Sequence, residues 1–118
     1  MANPNIVNVA TINGKTDVFA LTTTETNLVT ATANTVFKIN TIMVSNIDGS
    51  NAADVTIKYN DGSNDRAIAS TISIPADATL VVSDKNSAFY LEENEIIKGT
   101  ASANSDLECL ISYEIISD

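Results

Sequence analysis

The chain has 118 residues, a length typical of one domain, and its net charge of −9 argues against direct binding to nucleic acid or to an anionic membrane. Only 5% of the residues are aromatic and none is tryptophan, so the core must consist of aliphatic side chains. The chain has a single cysteine, Cys109, which excludes an internal disulfide, and it has no histidine, which excludes a Ser–His–Asp triad.

Alternating apolar and polar residues, separated by turn clusters, predict β-strands along the chain. The first two expected strands, residues 6–12 and 16–21, flank Asn13-Gly14, a dipeptide that favours a hairpin turn because both residues accept positive φ. A short third strand is expected at residues 27–32, after a run of threonines.

Residues 36–46 form the longest predicted strand. Its apolar positions change phase near Asn40 and Thr41, which indicates a bend or a β-bulge. Alternation places Phe37, Ile39, Thr41 and Met43 on one face, and Val36, Ile42 and Val44 on the other.

The rest of the chain continues the same pattern and contains no convincing helical period. Further strands are expected at residues 53–59, 66–74, 79–83, 88–91, 95–101 and 106–116. Roughly nine or ten short strands predict an all-β fold, namely a single-domain antiparallel β-sandwich of jelly-roll or immunoglobulin-like type. The domain is expected to span residues 1–118, with residues 1–5 as a candidate N-terminal arm.

Few residues are candidates for a catalytic role. Glu92, Glu93 and Glu95 are carboxylates close enough for acid–base work, but they fall in a predicted turn, where solvation is the simpler interpretation. Cys109 alternates with Leu107 and Ile111 and is expected to pack as a small apolar residue. The sequence therefore predicts no catalytic, cofactor-binding or metal-binding residue, and no enzyme.

Two loops leave calcium binding open as an alternative, and one aromatic side chain leaves carbohydrate binding open. Residues 48–51 and 61–65 contain oxygen ligands of the kind that calcium prefers, although the same residues build ordinary tight turns. Tyr90 is expected to point away from the core, opposite to Phe89, and so offers one ring for a carbohydrate.

Six segments resemble small virion proteins of tailed bacteriophages, especially those of phages that infect marine cyanobacteria. The segments are PNIVNVATINGKT at residues 4–16, VFKINTIMVSN at 36–46, IPADATLVV at 74–82, YLEE at 90–93, TASANSDLE at 100–108 and SYEI at 112–115. The resemblance covers nearly the whole chain, and its motifs are structural rather than catalytic.

The resemblance implies a non-enzymatic part of the particle, most similar to capsid decoration (cement) proteins, often trimeric. Its partners would be the major capsid protein, whose lattice it would bind and stabilise, other virion proteins and further copies of itself. The alternatives are a neck, tail or fibre component, or a carbohydrate- or receptor-binding module. The start of the chain lacks the basic and apolar regions of a signal peptide, so assembly in the host cytoplasm and a place in the virion are expected.

Overall fold

The computed structural model describes residues 3–117, and β-strands dominate this range. The strands are β1 (Thr11–Ala20), β2 (Thr26–Thr30), β3 (Thr35–Asn46), β4 (Ala53–Asn60), β5 (Asp65–Ile74), β6 (Thr79–Ser83), β7 (Phe89–Leu91), β8 (Ile96–Ala101) and β9 (Leu107–Ser117). A short 3-10 helix, Lys85–Ser87, precedes β7 and is capped by Asp84, whose side chain accepts a hydrogen bond from the Asn86 amide.

The strands form two packed antiparallel sheets. Sheet A has the order β1-β9-β3-β6, with β7 also pairing with β3, and sheet B has the order β2-β8-β4-β5. The pairs are nested, because β1 pairs with β9, β2 with β8, β3 with β6 and β4 with β5. A long hairpin rolled up in this way is a jelly roll, so the structure selects the jelly roll over the immunoglobulin-like alternative.

The core lies between the two sheets and is aliphatic, as the composition predicts. Its side chains without measurable exposure are Ile39, Ile42 and Val44 of β3, Val55 and Ile57 of β4, Leu91 of β7, Ile97 of β8 and Ile111 of β9, together with Ala31. Gly99 of β8 faces the same core, and a Cβ there would lie only 2.7 Å from Leu28 Cδ1. The Leu28, Leu21 and Ile57 side chains therefore fill the space beside Gly99, and a larger residue at this position would force them to shift.

The predicted hairpin at Asn13-Gly14 is wrong. Both residues lie inside β1, opposite Ile115 and Glu114 of β9, and Gly62 is the one positive-φ glycine in residues 3–117. The ten-residue pairing with β9 overrides the local turn preference of this dipeptide. Residues 6–8, expected within a first strand, instead form a turn closed by a hydrogen bond from the Asn8 amide to the Asn5 carbonyl.

The predicted irregularity in the longest strand is confirmed. The register between β3 and β9 shifts between Ile39 and Thr41, so Asn40 is the extra residue of a β-bulge. The bulge reverses the facing of the later residues, because Ile42 joins Ile39 in the core while Thr41 and Met43 turn outward. The assignment of Thr41 and Met43 to the face of Phe37 and Ile39 is therefore wrong.

Asn46 is a buried polar side chain that ties together the end of β3, the following loop and β5. It is 3% exposed. Its Nδ2 donates to the carbonyls of Asn51 (2.9 Å) and Ile74 (3.0 Å), and its Oδ1 accepts from the Asp48 amide (2.9 Å). These bonds satisfy three backbone groups that would otherwise lose solvent without gaining a partner.

We expect Asn46→Ala to lower the free energy of unfolding by about 2–4 kcal/mol, because it leaves three backbone groups without their side-chain partner. Urea unfolding followed by circular dichroism measures the change. Asn13→Ala, at an exposed position of β1, is the matched control and should stay within about 0.5 kcal/mol of wild type. Equal effects of the two substitutions would contradict the role assigned to Asn46.

Candidate functional site

An apolar row crosses the outer face of sheet A. Val18 of β1 lies opposite Leu110 of β9, Leu110 lies opposite Met43 of β3, and Met43 lies opposite Val81 of β6. Directly opposed residues share one face of a sheet, so the four side chains form a continuous line, called here the apolar row. Val18 is 71% exposed and Val81 is 51% exposed.

A second line of side chains beside the apolar row consists of small hydroxyl residues. Thr16 lies opposite Ser112, and Ser112 lies opposite Thr41. The Thr16 and Ser112 hydroxyls are 3.4 Å apart. The apolar row and this hydroxyl row contain no ionisable side chain, on a protein whose net charge is −9. A surface of this kind loses little solvation free energy when a partner covers it.

An open hollow of about 390 Å³ adjoins one end of the apolar row. Val18, Ala20, Leu110, Ser45 and Glu108 are among the residues that line it. Glu108 is the nearest acidic side chain to the apolar row along β9. The hollow therefore gives a partner side chain a recess at one end of the apolar row.

The outer face of sheet B is polar, and two of its lysines form ion pairs. Lys58 Nζ lies 3.0 Å from Glu25 Oε2, and Lys98 Nζ lies 3.2 Å from Asp65 Oδ1. The hydrogen bond with Glu25 raises the pKa of Lys58 above its ordinary value. The two outer faces thus differ in chemistry, and the apolar row belongs to sheet A alone.

Sequence reasoning did not identify the apolar row, because its four members come from four strands that are distant in the sequence. A partial signal was present, since alternation in residues 106–116 places Leu110 on the face opposite to Cys109. Simple alternation places Met43 on the face of Phe37 and Ile39, whereas the bulge at Asn40 turns it to the opposite face. Only the strand order brings Met43 and Val81 beside Leu110.

The structure gathers the three predicted carboxylates in one turn but gives each a different partner. Glu92 Oε1 accepts from Asn3 Nδ2 (2.7 Å), and the Glu93 carboxylate accepts from the Asn34 amide. The Glu95 carboxylate accepts from the Tyr59 hydroxyl and, at 2.8 Å, from the Glu92 amide. Burial and the bond with Glu95 raise the pKa of Tyr59. These contacts join the turn to its surroundings.

The two loops weighed as calcium sites are closed by their own carboxylates. Asp48 Oδ1 accepts from the amides of Ser50 (2.7 Å) and Asn51 (3.2 Å). Asp61 Oδ1 accepts from the amides of Asn64 (2.8 Å) and Ser63 (3.0 Å). These bonds hold the pKa of each aspartate below its ordinary value of 3.8. Within residues 3–117 no three acidic, histidine or cysteine side chains form a metal-binding group.

Tyr90 points outward, as alternation predicts, and it is 43% exposed. Phe89 turns inward instead, and its ring centroid lies 5.9 Å from that of Tyr59. The Tyr90 ring lines a hollow of about 280 Å³ together with Asn3, Pro4, Ile6, Val36 and Glu92. The candidate N-terminal arm, residues 1–5, therefore touches this hollow through Asn3 and Pro4, and its first two residues lie outside the described range.

Cys109 is 1% exposed and faces the core between Phe19 and Val44, its neighbours on β1 and β3. Burial raises the pKa of its thiol to about 12, so the thiolate that nucleophilic chemistry needs does not form near neutral pH. No helix in residues 3–117 is long and apolar enough to cross a membrane.

Comparisons with known proteins agree on the fold. No protein-family model matches the chain, and no curated protein matches its sequence. One similar solved structure is a chain of Bacillus endospore appendages, described as disulfide-linked pili, with 9% identity, a TM-score of 0.54, and coverage of 92% of this chain and 88% of that chain. Another is a chain from the capsid of Helicobacter pylori bacteriophage KHP30, with 8% identity, a TM-score of 0.53, and coverage of 92% and 89%.

The lowered pKa of Asp48 predicts a specific dependence of stability on pH. Stabilisation by its carboxylate is present above its ordinary value of 3.8 and is lost as the pH falls through the lower folded value. We expect Asp48→Asn, which keeps an acceptor but does not titrate, to lose less stability than wild type between about pH 6 and about pH 3. Urea unfolding at both pH values measures the difference.

The control is Asp48→Ala, which removes the acceptor and should be less stable than Asp48→Asn at both pH values, since the Ser50 and Asn51 amides lose their partner. Parallel losses of stability in wild type and Asp48→Asn would show that the Asp48 carboxylate does not contribute to the acid dependence.

Proposed function

We propose that the chain is a non-enzymatic structural protein of a virion, and that it acts as a capsid decoration protein. The observation that carries the proposal is the uncharged patch on the outer face of sheet A, where the apolar row and the hydroxyl row lie side by side. A decoration protein needs a compact fold and one contact surface that desolvates easily, and it needs no catalytic pocket.

The fold supports a role in assembly. The two solved structures described above belong to a phage capsid and to a pilus, both of which are built from many protein subunits. Their low identity to this chain relates the folds alone, so the specific role rests on the surface chemistry and on the resemblance of the sequence to phage virion proteins.

We propose that the binding partner of the apolar row is the lattice of the major capsid protein. Contacts of this class bury about 800 Å² on each partner, with an apolar centre and a polar rim. The apolar row supplies the centre, and Glu108 and Glu114 of β9 supply charged groups at the rim. The net charge of −9 disfavours non-specific association of the apolar row with other acidic proteins, because the rest of the surface repels them. The trimer that the resemblance implies stays a prediction.

Labelling intact virions of the parent phage with a gold-conjugated antibody against this chain tests the location. Dense label over the head supports the decoration role. Label confined to the neck or tail favours the alternative of a neck, tail or fibre component, which would be present in far fewer copies. Absence of label, together with absence of the protein from the virion mass spectrum, would refute a virion role.

We expect Val81→Asp to weaken binding to capsids assembled without the protein by at least about tenfold, because it places a charge in a desolvated contact. Co-sedimentation with such capsids measures the binding. Ile47→Asp is the matched control, since Ile47 is 54% exposed, close to the 51% of Val81, and lies in the loop after β3. Equal weakening by both substitutions would contradict docking through the apolar row.

A second candidate function is carbohydrate binding at the hollow beside Tyr90. The observation that favours it is an outward aromatic ring next to the side-chain amide of Asn3 and the carboxylate of Glu92, groups that suit sugar hydroxyls. A glycan array separates this function from decoration. Binding that Tyr90→Ala abolishes would support it, and a blank array would leave no support for it.

A further inference from the structure

Three of the four sheet edges carry features that prevent pairing with another chain. β2 has five residues and a register irregularity between Asn27 and Val29. The opposite edge of sheet A consists of β6, with five residues, and β7, with three. β5 has ten residues but two register irregularities against β4, and Thr71 within it adopts a φ of 49°. Short length and bulges of this kind protect edges from further strands.

The fourth edge, β1, lacks these features. Its ten residues pair with β9 over positions Thr11–Ala20 without any shift of register. No strand within residues 3–117 pairs with its other side. All six residues from Thr11 to Thr16 are exposed. A long, regular, open edge presents a row of backbone donors and acceptors to another strand.

We propose that β1 pairs antiparallel with β1 of a second copy of this chain. The two copies are related by a two-fold axis that lies midway between their Thr16 residues, called here the axis at Thr16. The pairing is isologous, so each contact occurs twice. In this register Thr16 lies opposite the second copy's Thr16, Lys15 lies opposite its Asp17, and Gly14 lies opposite its Val18. The two copies of sheet A then form one continuous sheet.

Charge complementarity selects this register. Lys15 and Asp17 lie on the same side of β1, and Lys15 Nζ is 3.7 Å from Asp17 Oδ1 within one chain. Directly opposed unlike charges stabilise a strand pair, and like charges destabilise it. Moving the axis to Lys15 places two lysines opposite each other, and moving it to Asp17 places two aspartates opposite each other. Only the axis at Thr16 pairs each lysine with an aspartate.

The side chains on the outer face of β1 are also compatible with this register. A Cβ built on Gly14 would meet nothing within 4 Å, so the space above Gly14 is open. Val18, which is 71% exposed in one chain, falls opposite this glycine in the second copy. The pairing therefore covers part of the most exposed member of the apolar row.

This inference stands apart from the proposed function, because the pairing is a property of the free protein and needs no capsid. It gives a dimer in solution, in contrast to the trimer that the resemblance implies. Failure of the solution test below leaves the virion and capsid tests untouched, and failure of those tests leaves the dimer untouched.

Two charge reversals and their mixture test the register. Lys15→Asp faces each Asp17 with a second carboxylate, and Asp17→Lys faces each Lys15 with a second ammonium group, so each variant alone should be a monomer. Mixed in equal amounts, the two variants pair lysines with carboxylates at every facing position, and a dimer should return. Sedimentation equilibrium over about 1 μM to 1 mM measures the mass, since strand-edge contacts smaller than about 1,200 Å² are commonly weak.

The control is Lys85→Asp, which changes the net charge by the same amount in the 3-10 helix, away from β1, and should remain dimeric. Asp17 also accepts a hydrogen bond from the Tyr113 hydroxyl, so thermal melting by circular dichroism first confirms that each variant is folded. A monomeric or trimeric wild type, folded single variants that stay dimeric, or a mixture of folded variants that stays monomeric would each overturn the inference.

A cross-link gives a second test that does not depend on Asp17. Opposed residues of an antiparallel pair have Cα atoms about 4.5–5.5 Å apart, within the range of about 4.4–6.8 Å that a disulfide spans. Thr16→Cys should therefore form a covalent dimer on mild oxidation, seen on a non-reducing gel. Asn13→Cys is the matched control, because the two copies of that residue lie about 20 Å apart in this register.

Wild type should give no covalent dimer under the same conditions, because its single thiol, at Cys109, is buried and has a pKa raised to about 12. Cross-linking of Asn13→Cys as fast as Thr16→Cys would overturn the register, and no cross-linking of a folded Thr16→Cys would overturn the pairing itself.

Discussion

The position of β9 between β1 and β3 is the constraint on which most of the molecule depends. All eleven of its residues pair with β3 and ten of them also pair with β1, and a slip of one residue would send every core side chain of the strand to the surface. Tyr113 helps to fix this register, because its ring stacks on Phe37 with centroids 5.1 Å apart and its hydroxyl donates to Asp17 at 2.6 Å. Burial, followed by the bond with Asp17, raises the pKa of Tyr113, so this donor remains protonated over the ordinary range of pH.

The same register creates the contrast between the two outer faces. With Cys109 and Ile111 committed to the core, Leu110 must face outward, where it meets Val18 and Met43. The outward positions of sheet B carry polar residues instead, and Lys58 and Lys98 there form ion pairs with Glu25, which precedes β2, and with Asp65 of β5. The apolar row is thus a consequence of alternation in β9 combined with apolar residues on β1, β3 and β6, and it depends on the bulge at Asn40 and on the register shift between β3 and β6 at Met43.

Local patterns predicted those parts of the fold that local interactions decide. The alternation of Val55, Ile57 and Tyr59 predicted β4, and Asp61-Gly62 predicted the turn after it, where Gly62 has a φ of 96°. Asn13-Gly14 has an equally strong local preference for a turn, yet its pairing with β9, a hundred residues away, decides its conformation. The apolar row could not be predicted for the same reason, since nested pairing between distant strands sets which outward side chains become neighbours.

The open edge of β1 and the apolar row are related by geometry. A two-fold axis at Thr16 lies perpendicular to the sheet, because the axis residue and its partner must point to the same side of the joined strands. Such an axis leaves the outer faces of both copies on the same side of the combined sheet. The two apolar rows of a pair therefore also lie on that side. A surface that binds one row would then meet the second row already oriented, and the second contact would form at a high effective concentration without any new interaction. Weak individual contacts of two apolar rows would then suffice for firm attachment to a repeating lattice whose spacing matches that of the rows.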